Sequence, residues 1–112
     1  MKKISHLDEK GNLKMIDITN KPASRRMASA SGKISMNKET ILLIQNDQLP
    51  KGSVLEVAKV AGIQAAKQTS NLIPLCHSLN ITWINLDFEI QEDCIQIYSI
   101  AKTKESTGLE ME

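Results

Sequence analysis

The sequence predicts an α+β domain in which helices accompany an antiparallel hairpin. Two apolar runs with helical spacing follow N-cap residues, and beyond Pro74 the apolar residues change to a period of two. The length of 112 residues fits one domain, so we treat residues 1–112 as a single unit. Residues 1–32 are mostly polar and offer little to bury, which predicts that they are largely loop or arm.

The first predicted elements are a strand and a short helix. Ile34 and Met36 alternate with polar residues, and this alternation predicts a strand from Lys33. Asn37 then occupies an N-cap position before the apolar run 41–44, which predicts a short helix there.

A longer helix is predicted over residues 53–69. Ser53 and Glu56 have the spacing of a capping box, in which each side chain satisfies a free backbone N–H of the other residue. Gly62 lies inside this helix, where glycine is less favourable than alanine. We therefore expect a close packing partner on the face that carries Gly62.

The second half of the chain predicts a hairpin. Leu86, Phe88 and Ile90 alternate with polar residues, residues 91–93 form a polar turn, and the alternation resumes at Ile95. Residues 107–110 again have capping-box spacing, but too few residues follow for a stable helix.

Composition excludes several classes of function. Fourteen basic and thirteen acidic residues leave a formal net charge of +1, too small to argue for general nucleic-acid binding. Two cysteines are too few for a disulfide framework or a four-thiolate zinc site, and no apolar stretch approaches the roughly 20 residues that span a bilayer. We expect a cytoplasmic protein with reduced thiols and no membrane role.

Residues 66–79 place a lysine at the end of a helix and a histidine after a proline turn. A single loop histidine such as His77 is more often structural than functional. Cys76 and His77 are adjacent, so in an extended segment their side chains point to opposite faces and cannot form a nucleophile and base pair. No metal site is predicted, because His6 lies in the polar arm and no other ligands cluster here.

Other charged residues have two interpretations. Lys51 precedes a helix N-terminus, where phosphate is favoured, and Arg25 and Arg26 form a pair suited to phosphate oxygens, although such residues are usually just solvated. Glu110 and Glu112 would share one side of an extended segment, or would complement the dipole of a beginning helix.

Two stretches resemble a known family. The segments A-G-I-Q-A-A-K-Q-T-S-N-L-I-P-L-C-H-S-L from Ala61 and T-G-L-E-M-E from Thr107 look like the signatures of the molybdenum cofactor biosynthesis protein C family, the cyclic pyranopterin monophosphate synthases. The segment M-I-D-I-T at Met15, the arginine at position 26 and the K-G pair at Lys51 match in order and spacing, so the resemblance covers essentially the whole chain.

The resemblance implies a ferredoxin-like antiparallel sheet with helices on one face, assembled as a hexamer of three dimers. It implies a lyase that converts 3',8-cyclo-7,8-dihydroguanosine 5'-triphosphate, supplied by a radical S-adenosylmethionine enzyme, into cyclic pyranopterin monophosphate and pyrophosphate. No cofactor is expected, except that Mg²⁺ could accompany the triphosphate.

Site residues follow from the same resemblance. The implied catalytic residues are Lys51, His77, Glu110 and Glu112. His77 would shuttle protons, the two acids would contact the guanidine-like edge of the pterin or act as acid and base, and Lys51 would neutralise phosphate or move protons. The implied substrate-binding residues are Arg26, Lys67, Leu75, Cys76, His77, Met111 and Glu112.

The sequence departs from the family pattern at two places. Ser78 stands where the family usually has proline, which removes no reactive group. Family members continue through a helix-rich segment with an aspartate and a further lysine, so we expect impaired or absent turnover from the 112 residues alone. The alternatives are therefore a noncatalytic nucleotide-binding or assembly module, and an inert structural fragment.

Overall fold

The computed structural model describes residues 6–47 and 53–112. Within these ranges the chain forms β1 (Ser24–Ser35), α1 (Lys38–Gln45), α2 (Val54–Leu72), β2 (Ile81–Ile90) and β3 (Cys94–Glu105). The strands form an antiparallel sheet in the order β1-β3-β2. The arrangement is α+β and is consistent with the predicted ferredoxin-like fold.

The predicted hairpin is confirmed. β2 and β3 pair antiparallel, and the backbone N–H of Gln91 donates to the carbonyl of Cys94 to close the connection. Thr82 is an extra residue in β2, where the register shifts between Ile81 and Trp83, and its hydroxyl donates to the carbonyl of Lys102. Such a bulge bends a strand locally.

The strand predicted from Lys33 begins earlier, because residues 24–32, part of the segment expected to be largely loop or arm, are also strand. β1 begins at Ser24, and every residue from there to Ser35 pairs with β3. The segment consists mainly of serine, alanine and glycine, which give no apolar alternation to read. Pairing with the central strand determines its conformation, because strand formation depends more on neighbours than on intrinsic preference.

The close contact predicted for Gly62 is confirmed. A Cβ placed on Gly62 would lie 2.6 Å from Cδ2 of Leu86, so α2 approaches β2 as closely as glycine allows. Ser53 is the N-cap residue, as predicted, but its side chain makes no capping hydrogen bond. The helix ends at Leu72, beyond the predicted residue 69, because Ile73 precedes Pro74 and takes an extended conformation.

The short helix α1 begins as predicted. The side chain of Asn37 accepts hydrogen bonds from the backbone N–H and the hydroxyl of Thr40, at 2.9 Å each. Ile41 is buried and lies beside Ile90 at the end of the hairpin. The ion pair between Lys38 and Glu92 joins the start of α1 to this end of the hairpin.

The segment that follows β3 contains no helix over residues 106–112. Leu109 is only 2% exposed and lies beside Ala28 and Ala101, which are opposite each other on β1 and β3. Ala101 is also opposite Ile84, which shares a strand face with Leu86. The final residues therefore lie against the same sheet face as α2.

The other face of the sheet, here called the outer face, carries exposed apolar side chains. Met27, Lys102 and Trp83 lie in one row across the strands, and the ammonium of Lys102 lies 4.9 Å from the centre of the Trp83 ring. Met27 is 63% exposed, Trp83 46% and Tyr98 44%. In the described ranges, no helix combines the length and apolar character needed to cross a bilayer.

Candidate functional site

A cleft of about 420 Å³ lies where four parts of the chain meet. These parts are the N-terminal arm, the end of α2, the turn after Pro74 and the segment after β3. The residues that line the cleft are His6, Ile16, Ile73, Leu75, Cys76, His77, Thr107, Gly108, Glu110 and Met111. Apolar walls with a few polar groups are typical of small-molecule sites.

The end of α2 places Cys76 and His77 in the cleft. Thr69 is buried and donates its hydroxyl to the carbonyl of Ala65, and the N–H of Ile73 donates to the carbonyl of Thr69. Pro74 cannot continue the helix, and the N–H of Cys76 then donates to the carbonyl of Ile73 to close a tight turn. The turn therefore aims the following residues away from the helix axis.

His77 is held by the backbone of the arm. Its Nε2 lies 2.6 Å from the carbonyl oxygen of Ile16, across 61 residues of sequence. A carbonyl oxygen only accepts hydrogen bonds, so Nε2 carries the proton in this contact. In the neutral ring, Nδ1 is then the nitrogen with a free electron pair.

Cys76 contacts one of the two acids of the last segment. Its thiol donates to Oε2 of Glu112 at 3.7 Å. Partial burial raises the pKa of the Cys76 thiol, and the negative charge of Glu112, its hydrogen bond with the thiol and the charge of Glu110 raise that pKa further. The thiol is therefore mainly neutral at physiological pH and acts as a hydrogen-bond donor in this contact, which argues against a thiolate nucleophile.

Glu112 contains a polar atom without a hydrogen-bond partner in the described part of the chain. Its Oε1 is buried and has no hydrogen-bond partner among the described residues. A buried carboxylate oxygen without a donor costs free energy, on the order of 1–3 kcal/mol. The other oxygen of this carboxylate is the one that contacts the Cys76 thiol, so the unsatisfied atom lies within one carboxylate of the cleft lining.

Glu110 reaches the cleft because position 108 has no side chain. A Cβ on Gly108 would collide with the carboxylate of Glu110 as it is placed here, so a side chain at position 108 would require that carboxylate to move. Leu109 lies between the two glutamates in the sequence, and its buried side chain anchors the segment. The two carboxylates lie near Cys76, as its raised pKa indicates.

The described residues contain no group of three or more His, Cys, Asp or Glu side chains arranged to hold a metal ion. The polar groups of the cleft are two imidazoles, a neutral thiol, a hydroxyl and the carboxylate of Glu110, with that of Glu112 beside the thiol. These groups can donate and accept hydrogen bonds and exchange protons with a small molecule.

Comparison with known proteins identifies the family. The model of the MoaC family matches residues 15–112, which is most of the chain.

This chain belongs to the MoaC family.

Individual relatives in this family have related names. The chain is 58% identical over 108 residues to the molybdenum cofactor biosynthesis bifunctional protein of Chlorobaculum tepidum, covering 96% of this chain and 35% of that protein. It is 49% identical over 112 residues to the cyclic pyranopterin monophosphate synthase of Clostridium perfringens strain SM101, covering 98% and 71%. The synthase of Parvibaculum lavamentivorans is 45% identical over 113 residues, covering 99% and 71%. The chain thus spans about a third of the bifunctional protein and about 70% of the two synthases.

Several predicted site residues meet in this MoaC-family cleft. Leu75, Cys76 and His77 line it together with Glu110 and Met111, although the two groups are more than 30 residues apart. Glu112 joins them through its contact with Cys76.

Two predicted residues, Arg26 and Lys67, do not line the cleft. Arg26 lies at the end of the sheet, where its Nε donates to the carbonyl of Glu105 at 3.2 Å. Lys67 is exposed on α2 and lines a separate groove beside Trp83. Lys51 lies outside the described residues. The roles assigned to these residues stay predictions.

Two groups of this MoaC-family cleft were missed from the sequence. His6 was assigned to the polar arm, yet it lines the cleft beside Cys76 and His77. The carbonyl of Ile16 holds His77. Neither had a local signal, because the contacts join the arm to residues about 60 to 70 positions later in the chain.

Proposed function

We propose that this chain carries the active-site cleft of a cyclic pyranopterin monophosphate synthase. The reaction would convert 3',8-cyclo-7,8-dihydroguanosine 5'-triphosphate into cyclic pyranopterin monophosphate and pyrophosphate, in molybdenum cofactor biosynthesis. The observation that carries the proposal is the meeting of Cys76 and His77 with Glu110 and Met111 in one cleft.

The chemistry of the cleft supports this reaction. Opening and rebuilding a purine-derived ring requires several proton transfers, and imidazole and carboxylate groups in one site can perform them. His77 has one nitrogen engaged with the protein and the other free to exchange a proton. The unsatisfied Oε1 of Glu112 would accept from an N–H of the guanidine-like edge of the pterin.

The phosphates require cationic groups, and the residues proposed for them are Lys51, Arg26 and Lys67. Arg26 and Lys67 lie outside the cleft within one chain. We therefore propose that Arg26 serves the cleft of a neighbouring subunit. Lys67 is the weaker candidate. It lines the groove beside Trp83, so it would contact only a part of the substrate that reaches that groove. Mg²⁺ could accompany the triphosphate, and no other cofactor is proposed.

A homo-oligomer is proposed on the basis of the outer face. Met27, Trp83 and Tyr98 are about half exposed there or more, on a sheet face that neither α2 nor the last segment covers. Exposed apolar groups on one face are typical of interaction surfaces. The hexamer of three dimers implied by the family resemblance would bury such a face. Native mass spectrometry of the purified chain tests this, and a monomer at micromolar concentration would contradict it.

The cellular setting is proposed as cytoplasmic. Cys76 and Cys94 are both free thiols, which suits a reducing compartment. The substrate would come from a radical S-adenosylmethionine enzyme that acts one step earlier.

The decisive experiment supplies substrate made by that radical enzyme and follows pyrophosphate and pterin formation, alongside calorimetric binding. Turnover supports the lyase, and binding without turnover supports a noncatalytic nucleotide-binding module. Absence of both leaves an inert fragment. The names of the relatives favour the lyase.

Variants then test the site. His77→Ala and Lys51→Ala should each abolish turnover. Lys38→Ala is the matched control for the second variant. Lys38 pairs with Glu92 in the turn between β2 and β3, and both side chains are largely exposed. Near-normal rates in both site variants would contradict the assignment of His77 and Lys51 as catalytic residues.

A further inference from the structure

The contact between His77 and Ile16 determines how the histidine can work. The oxygen of a backbone carbonyl cannot donate, so a nitrogen at 2.6 Å from it must carry the hydrogen. Nε2 is protonated both in the neutral ring and in the imidazolium, so the contact survives either state. A proton that moves onto or off His77 without breaking this contact moves at Nδ1.

The carbonyl of Ile16 is followed directly by a closed turn. The next residue, Asp17, folds its side chain over the backbone that follows. Its Oδ1 accepts from the backbone N–H of Thr19 at 3.0 Å and from the hydroxyl of Thr19 at 2.6 Å. These two bonds restrict the backbone from Asp17 to Thr19, and the peptide unit of the Ile16 carbonyl is joined directly to that turn at the Cα of Asp17.

We propose that the Asp17 turn is a positioning device, which holds the Ile16 carbonyl on Nε2 of His77 and makes Nδ1 the nitrogen that exchanges protons with the substrate. The part of this inference that concerns substrate rests on the proposed function. The part that concerns the ring does not. Asp17 touches neither the ring nor the substrate and acts through the backbone.

This arrangement follows a general rule for catalytic bases. A base is most effective when a third group fixes its orientation and its tautomer, and in many enzymes a carboxylate does so directly. Here a neutral carbonyl replaces the carboxylate. His6, Cys76 and Glu110 are the other titratable side chains that line the cleft, and Glu112 contacts Cys76.

The test is nitrogen-15 NMR on the full chain with labelled histidine. In the neutral state of wild-type protein, His77 should give the pattern of a single Nε2–H tautomer, with an Nε2–H proton that exchanges slowly with water. Asp17→Ala should accelerate that exchange about tenfold or more. Asp17→Asn keeps the accepting Oδ1 and should retain slow exchange.

Asp8→Ala is the matched control. Asp8 forms a turn of the same kind in the same arm, accepting from the backbone N–H groups of Lys10 and Asn12 at 2.9 and 2.8 Å. Losing it should leave the His77 signals unchanged. An Nδ1–H tautomer in wild-type protein would overturn the inference by itself, even if Asp17→Ala failed to fold. Unchanged exchange in a folded Asp17→Ala protein would also overturn it.

Activity provides the second readout. Asp17→Ala should lower kcat at least tenfold with little change in KM, and Asp17→Asn should restore most of the rate. His77→Gln places an amide N–H near the position of Nε2 and should bind substrate without turning it over. If the NMR result holds but wild-type protein has no turnover, the proposed function fails and the positioning stands. If turnover occurs with the other tautomer, only this inference fails.

Discussion

The thiol of Cys76 donates a hydrogen bond to Oε2 of Glu112, a contact that joins the turn after α2 to the last residue of the chain. It links the two stretches that resemble family signatures. Burial and the charge of Glu112 both raise the pKa of Cys76. The reactivity of the thiol therefore reports whether the charged carboxylate of Glu112 lies beside it.

Removing the charge of Glu112 should make Cys76 more reactive. Glu112→Gln lowers the pKa of the thiol toward its ordinary value, so the thiolate fraction at pH 8 rises. We expect alkylation by iodoacetamide to accelerate by a factor on the order of three to ten, since one pKa unit changes the thiolate fraction about tenfold. The rate is measured in a Cys94→Ser background, where Cys76 is the one remaining thiol.

Two further glutamates serve as graded controls. Glu110→Gln should give a smaller acceleration, because Glu110 affects the thiol only through its charge. Glu92→Gln should give none, because its carboxylate pairs with Lys38 elsewhere on the surface. Equal rates for Glu112→Gln and Glu92→Gln would contradict the contact.

The two helix N-caps should respond differently to alanine. Asn37→Ala removes two hydrogen bonds to Thr40 and should lower the free energy of unfolding by about 1 kcal/mol. Ser53→Ala should cost less, because Ser53 makes no side-chain capping bond. Urea denaturation of both variants checks the order, and a larger loss for Ser53→Ala would show that the caps are assigned wrongly.

The elements predicted well from sequence are those whose pattern is local. The alternation through Leu86, Phe88 and Ile90 and the cap at Asn37 identify a strand and a helix without reference to any other part of the chain. β1 was placed too late, since residues 24–32 form a strand through pairing with β3 and not through their own pattern.

The candidate site divides in the same way. Residue types and family resemblance indicated Cys76, His77, Glu110 and Glu112, because those residues stand within recognisable stretches. The contacts that connect them could not be predicted. The bond between His77 and the Ile16 carbonyl uses a backbone atom, which any residue type at position 16 would supply.

Leu109 should prove essential for the stability of the last segment. It is 2% exposed, and Leu109→Ala should lower the free energy of unfolding by about 3 kcal/mol through lost burial and the cavity left behind. Met111→Ala, two residues on and 65% exposed, is the control and should change stability by less than about 0.5 kcal/mol. Chemical denaturation measures both, and similar losses would mean that Leu109 is not the anchor.

The contact between Gly62 and Leu86 predicts a change of sign in a double-mutant cycle. Alanine at an interior helix position is favoured over glycine by about 1 kcal/mol, but here its Cβ would lie 2.6 Å from Cδ2 and 3.0 Å from Cδ1 of Leu86. Overpacking of this kind costs about 1–3 kcal/mol, so Gly62→Ala should destabilise wild-type protein by about 1 kcal/mol.

Leu86→Ala removes both methyl groups that obstruct the new Cβ. In that background the helix preference alone remains, and Gly62→Ala should stabilise the protein by about 0.5–1 kcal/mol. Thermal and urea unfolding of the four proteins measure the coupling, and Gly62→Ala having the same sign in both backgrounds would rule out the steric explanation for glycine at this position.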